Sequence, residues 1–107
     1  MMTKEKKLNI LGLAMRARAL VSGDELVEKA VKQQKIHLIL CASDASIKTI
    51  ERYRMISERE NIPLNNEFTK YELSHAIGKS RSIIGIENKG MANKFLSYDM
   101  ESEESYD

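Results

Sequence analysis

The apolar positions change period along the chain, and each change marks an element. In residues 8–17, Leu8, Ile10, Leu11, Leu13, Ala14, Met15 and Ala17 fill most of a helical circumference. Only a narrow stripe of Glu5, Asn9, Gly12 and Arg16 interrupts them, which predicts a helix packed on more than one side. Leu20-Val21 is a very short extended segment. Ser22 and Glu25 then have capping-box spacing, with Val21 and Leu26 at staple positions, and Leu26, Val27, Ala30 and Val31 give the following helix one apolar face. Residues 36–42 are a continuous apolar run with β-branched content, the mark of a buried strand. Ser43 or Asp44 is placed to cap a third helix that runs to about Asn61. Pro63 puts the short strand 62–65 at an edge or a strand start.

The same start signal recurs at Thr69 and Glu72, with Phe68 and Leu73 as the staple, and this helix stops at Gly78. Residues 82–87 form another buried strand, in which Gly85 marks a close approach to the backbone. Asn88 caps a last helix with Met91, Ala92, Phe95 and Leu96 on its apolar face. Alternating helices and strands predict an α/β protein. The expected architecture is a three-layer α/β/α sandwich, a small mixed four-stranded sheet with helices on both faces. A single domain over residues 1–98 is expected, followed by an acidic, disordered tail over 99–107.

Composition narrows the function. The 107 residues suffice for one core, and no apolar run approaches the roughly 18 residues of a membrane span. Arg16 and Arg18 follow the first apolar stretch at once, so it does not read as a secretory leader. A single cysteine, Cys41, excludes an intrachain disulfide and a cysteine-built zinc site, and fits a reducing, cytoplasmic setting. The net charge of +1 hides an asymmetry: residues 99–107 carry five acids and no base, leaving 17 bases against 11 acids in residues 1–98, a net of +6. A basic folded part favours a polyanionic partner.

Little supports an enzyme. There is no phosphate-cradling glycine loop, Cys41 lies in the most apolar segment, and His37 and His75 have no partner at ligand spacing. The six methionines are scattered core filler, and no cofactor or metal is implied. The basic residues say more. Glu25, Lys29 and Lys32 share one face of the second helix; that face is either a solvated surface or the flank of an anion site at Ser22, Gly23 and Asp24. Asp24 and Glu25 oppose a phosphate but accept hydrogen bonds from guanine or cytosine edges. A second basic turn, Gly78-Lys79-Ser80-Arg81-Ser82, leads into the last strand, and Arg16 and Arg18 precede the first, near Ser22 and Gly23. Arg52, Arg54 and Arg59 read as a solvated helix face. The aromatics are too few and too dispersed for a base-stacking platform, so structured RNA fits better than a single strand.

The stretch Leu8-Asn9-Ile10-Leu11-Gly12-Leu13-Ala14-Met15-Arg16-Ala17, then Leu20-Val21-Ser22-Gly23, resembles the YlxQ-like bacterial ribosomal-protein homologues of the kink-turn RNA-binding superfamily. Lys29-Ala30-Val31, Ala42-Ser43-Asp44-Ala45-Ser46 and Tyr71-Glu72-Leu73-Ser74-His75-Ala76-Ile77-Gly78-Lys79 extend the resemblance over roughly residues 7–96. It implies the same sandwich and a non-enzymatic, ribosomal-protein type of RNA binding. The RNA implied is the kink-turn, a sharply bent duplex with tandem sheared G·A pairs, read by a Gly-x-Asn-Glu-x-x-Lys motif. Aligning Gly23 and Lys29 puts Glu25 where the family often has Asn, and Leu26 where it has Glu or Gln. That implies a shifted set of contacts through Asp24 and Glu25. Lys29 carries over as a backbone contact, and residues 79–82 as the second contact to the bend. Bacterial relatives often read Arg-Ala-Gly-Lys where this chain has Arg16-Ala17-Arg18-Ala19. Implied partners are ribosomal or regulatory RNA, and ribosome or ribonucleoprotein proteins, for a monomer. Leu26 also leaves open a protein-interaction module on the same fold that has lost specific RNA readout.

Overall fold

The computed structural model describes the backbone of residues 3–104 and the side chains of residues 3–100. The elements alternate: α1 (Thr3–Arg16), β1 (Leu20–Ser22), α2 (Asp24–Lys32), β2 (Leu38–Cys41), α3 (Ile47–Glu60), β3 (Leu64–Asn65), α4 (Lys70–Ile77), β4 (Ile83–Ile86) and α5 (Lys89–Glu104). The sheet order is β1-β4-β2-β3. β4 is antiparallel to both β1 and β2, and β3 joins β2 in parallel, so the sheet is small and mixed as expected.

Strand pleating divides the apolar side chains between two cores. Leu38, Leu40, Ala42, Ile84 and Ile86 face α1, α4 and α5, joining Leu11, Leu73 and Phe95. Ile39, Cys41 and Ile83 face α2 and α3, joining Val27, Val31, Tyr53 and Ile56. On the same face of β4 as Ile83, Gly85 leaves room for Ile36 of the second core: a Cβ there would lie 2.8 Å from Ile36 Cδ1. The sandwich therefore has three helices on one face and two on the other.

The local start and stop signals are met unevenly. The Thr69–Glu72 capping box forms in both directions, Gly78 ends α4 at φ 77°, and Asn88 accepts the Met91 amide at 2.8 Å. α3 is capped by Ser46, not by Ser43 or Asp44; Asp44 accepts from the Lys70 amide and so fastens the start of α4 instead. The proposed Ser22–Glu25 box does not form. Ser22 is buried in β1 opposite Ile84, Gly23 is the residue before α2, and Leu26 is exposed and not a staple.

One further expectation is corrected, and one charged residue is unexpectedly placed. The helix that the sequence ends near residue 98 continues through Glu104, so the first acids of the tail extend α5; residues 105–107 lie outside the described residues. Lys7 is buried, although it lies among apparently solvated lysines. It shares the inward face with Leu11 and Ala14, its Nζ lies 2.6 Å from Glu67 and 2.5 Å from Asp99, and it sits over the Phe95 ring. Burial alone lowers its pKa, but the bonds to Asp99 and Glu67 outweigh that and raise it. The ammonium thus ties α1 to α5 and to the loop before α4.

A candidate nucleic-acid interface

The β1–β4 pairing builds the candidate site. Because Ser22 pairs with Ile84, the next residue, Gly23, donates its amide to the Ile83 carbonyl at 2.9 Å. The start of α2 thereby comes to lie against the turn that enters β4. A Cβ on Gly23 would lie 3.7 Å from Arg81 Nε. Gly23 has φ 97° and ψ 146°, a backbone region that L-residues with a side chain avoid. The turn 78–82 is itself pinned. The Ser74 hydroxyl accepts the Arg81 amide at 2.9 Å and donates to the Arg81 carbonyl at 3.2 Å. The Arg81 guanidinium also donates to the Ser80 carbonyl, and the Ser82 carbonyl accepts from the Ala42 amide. The two segments that the sequence marks separately are thus one surface.

Asp24 has a different role from the one its sequence position suggests. Its carboxylate pairs with Arg52 through Nη2 at 2.5 Å and Nη1 at 2.9 Å, and accepts from the Tyr53 hydroxyl at 2.5 Å. Arg52 also bonds Glu28 and lies 4.9 Å from the Tyr53 ring. These contacts hold α2 to α3. The Arg52 bond, with help from Tyr53, keeps the Asp24 carboxyl below the usual carboxylate range. Burial, then the Asp24 bond, pushes the Tyr53 hydroxyl well above its usual range. Asp24 is therefore occupied within the protein, and Arg52 is an internal clamp and not part of a solvated face. Sequence reasoning missed this pair because its members lie on different helices.

What remains outward on α2 is Glu25, Leu26, Lys29 and Lys32, all exposed; Glu25, Lys29 and Lys32 line one groove. Lys79 and Ser80 are exposed on the neighbouring turn, while Arg81 and Ser82 are half-buried. Arg16 is exposed and lies in the groove between α1 and α4 beside His75 and Ala76. Arg18 takes φ 58° at the end of α1. The Ala19 amide bonds the Ala14 carbonyl at 2.8 Å and the Arg18 amide bonds Met15 at 3.2 Å, the two bonds of a Schellman ending. The end of α1 thus requires a left-handed residue at position 18. Replacing Arg18 by Gly is expected to raise stability by about 0.5–1 kcal/mol, read as a shift in the urea midpoint at unchanged slope.

Cys41 is buried in β2 with its pKa raised by burial, an unreactive thiol environment. Among the described residues no group of histidines, cysteines and carboxylates is placed to hold a metal ion, and no helix is long and apolar enough to cross a membrane.

The α/β/α sandwich is an architecture shared with known proteins. Residues 5–96 match the Ribosomal protein L7Ae/L30e/S12e/Gadd45 family, and the chain belongs to that family. Within it, the chain is similar to proteins called RNA-binding protein YlxQ. It is 34% identical to that of Enterococcus faecium over 91 residues, 85% of this chain and 88% of the relative. It is also 34% identical to that of Bacillus subtilis (strain 168) over 89 residues, 82% and 89% of the two chains. A protein of unknown function from Bacillus halodurans superposes with a TM-score of 0.83 at 36% identity, over 87% of this chain and 95% of the other. The Giardia lamblia 15.5kD RNA binding protein shares the fold at a TM-score of 0.76 and 19% identity, covering 90% and 89%.

Proposed function

We propose that this protein is a non-enzymatic RNA-binding module that recognises a kink-turn-like bend with the start of α2 and the turn before β4. The observation that carries the reading is the fusion of those two segments: Gly23 bonded to Ile83, with Arg81 at its side. A bent duplex presents two backbones at an angle, and two adjoining basic segments suit that shape better than a single basic helix. Lys29, Lys32 and Lys79 supply phosphate contacts, with Arg81 at the junction. Glu25 is the carboxylate available to accept from a base edge, since Asp24 is engaged by Arg52 and Tyr53. The YlxQ relatives, named as RNA-binding proteins, support the reading. On it, the protein works in the cytoplasm as a monomer, on ribosomal or regulatory RNA.

Lys29→Ala tests the α2 half of the surface. Its affinity for a kink-turn RNA is expected to fall, and the slope of log affinity against log salt to shrink by about one. Unchanged affinity and slope would remove α2 from the interface. The exposure of Leu26, 57% for a large apolar side chain, favours a second reading as a protein-docking module. A partner that survives ribonuclease during pull-down, and is lost in Leu26→Glu, would support that reading over the first.

A further inference from the structure

We propose that Tyr71 and His75 form a stacking seat for an unpaired base flanking the bent RNA, with Lys79 and Arg16 beside it to take the neighbouring phosphates. This rests on the RNA-binding reading above and adds a place on the protein for single-stranded RNA.

Tyr71 and His75 stand one turn apart on the same face of α4, their ring centroids 6.1 Å apart and their planes 24° apart. Tyr71 is 77% exposed, so its ring adds little to the core and its own stability role is small. Two rings already stacked present a ready-made π-surface, and a base that adds to them orders fewer groups than one that must assemble the stack.

The surroundings suit a polyanion. Tyr71, His75, Lys79 and Ser80 line one shallow groove, which continues past His75 into the α1–α4 groove that holds Arg16. The stack is therefore continuous with the 78–82 turn, one of the two segments assigned to the bend. Of the acids along this path, Glu72 is committed: it accepts the Thr69 amide and pairs with Lys4. Glu5 lies at the other end of α1, about 16 Å from Arg16 at 1.5 Å per residue. Neutral apolar ligands would leave the flanking cations unused. Stacking with a cation on either side is the pattern by which proteins hold single-stranded nucleic acid.

The test uses the full chain and two probes: a blunt kink-turn RNA, and the same RNA carrying a short single-stranded uridine extension at either end. A 2-aminopurine placed in the extension reports stacking by fluorescence. The extended RNA is expected to bind wild-type protein more tightly than the blunt one and to be quenched on binding. Tyr71→Ala is expected to lose about tenfold in affinity for the extended RNA, together with the quench, and to keep its affinity for the blunt one. Tyr71→Phe, which keeps the ring, is expected to behave as wild type. If wild-type protein binds both RNAs equally without a quench, and Tyr71→Ala matches it, the stacking seat is overturned while RNA binding stands. If Tyr71→Ala keeps full affinity and the full quench, the seat is likewise overturned. If wild-type protein binds neither RNA, the RNA-binding reading fails and takes this inference with it.

Discussion

Replacing Gly23 by Ala is expected to lower stability by about 2 kcal/mol, within the 1–3 kcal/mol of a residue forced into a sparsely populated backbone region. Gly23 sits at φ 97° and ψ 146° while bonded to Ile83, so a side chain there is strained even though the nearest atoms, at 3.7 Å on Arg81, leave space. The strain has two ways out. The chain can keep its conformation at full cost, or rotate out of it and give up the bond that holds α2 against the turn before β4. The second route dismantles the proposed interface. RNA affinity is therefore expected to fall even in variant protein that is fully folded at the assay temperature. Urea unfolding gives the first quantity and titration with a kink-turn RNA the second. A variant with wild-type stability and affinity would show that the backbone at Gly23 is not needed for either.

Asp24→Ala is expected to cost about 2 kcal/mol, because it strands groups on α3. The Tyr53 side chain is fully buried, and without the carboxylate its hydroxyl keeps only the longer contact to the Asp24 carbonyl, 3.2 Å. A buried donor without a good acceptor costs about 1–3 kcal/mol, and loss of a charge from the first turn of a helix adds a few tenths. The pH dependence identifies the mechanism. The folded-state pKa of Asp24 is depressed, so its contribution is fully present above the unfolded value of 3.8 and is lost as pH falls through the lower folded value. Below that value the gap between wild type and Asp24→Ala is expected to narrow by the part that depends on the charge, since the protonated carboxyl can still accept from Tyr53. A difference that persists unchanged at acid pH would mean that the carboxylate is not the source. Arg52→Ala is the companion variant: it removes the guanidinium and leaves the Tyr53–Asp24 bond in place, so its cost is expected to be the smaller of the two.

How much of this was written locally in the chain differs from one element to the next. Strands β2 and β4 were legible because a continuous apolar run has few alternatives to burial between two helical layers. Thr69 and Glu72 were legible because both groups of the box lie within one turn. Ser22 and Glu25 carry the same spacing and fail, because β4 competes for the same backbone. Pairing with Ile84 buries Ser22 in the sheet, and the helix begins after the glycine instead. The Asp24–Arg52–Tyr53 contact is carried by helix packing and has no local signal. Lys7 did have one, since its spacing to Leu11 and Ala14 puts it on the inward face; the neighbouring lysines obscured it. Of the candidate site, residues 22–25 and 78–82 were found as separate segments. Their juxtaposition needed the strand register, and it changed the roles within them: Asp24 became a clamp, Arg16 fell in the groove between α1 and α4, and Tyr71 with His75 became a pair instead of two dispersed rings.

The claim that α2 and the turn before β4 together read a bent RNA is tested most directly by gel-shift titration at two salt concentrations. The probes are a simple kink-turn and a control in which its G·A pairs are replaced by Watson–Crick pairs. Tight binding to the kink-turn, weak binding to the control, and a preference that survives the higher salt are predicted. Equal affinity for both RNAs, falling together as salt rises, would contradict the claim and reduce the surface to an electrostatic one.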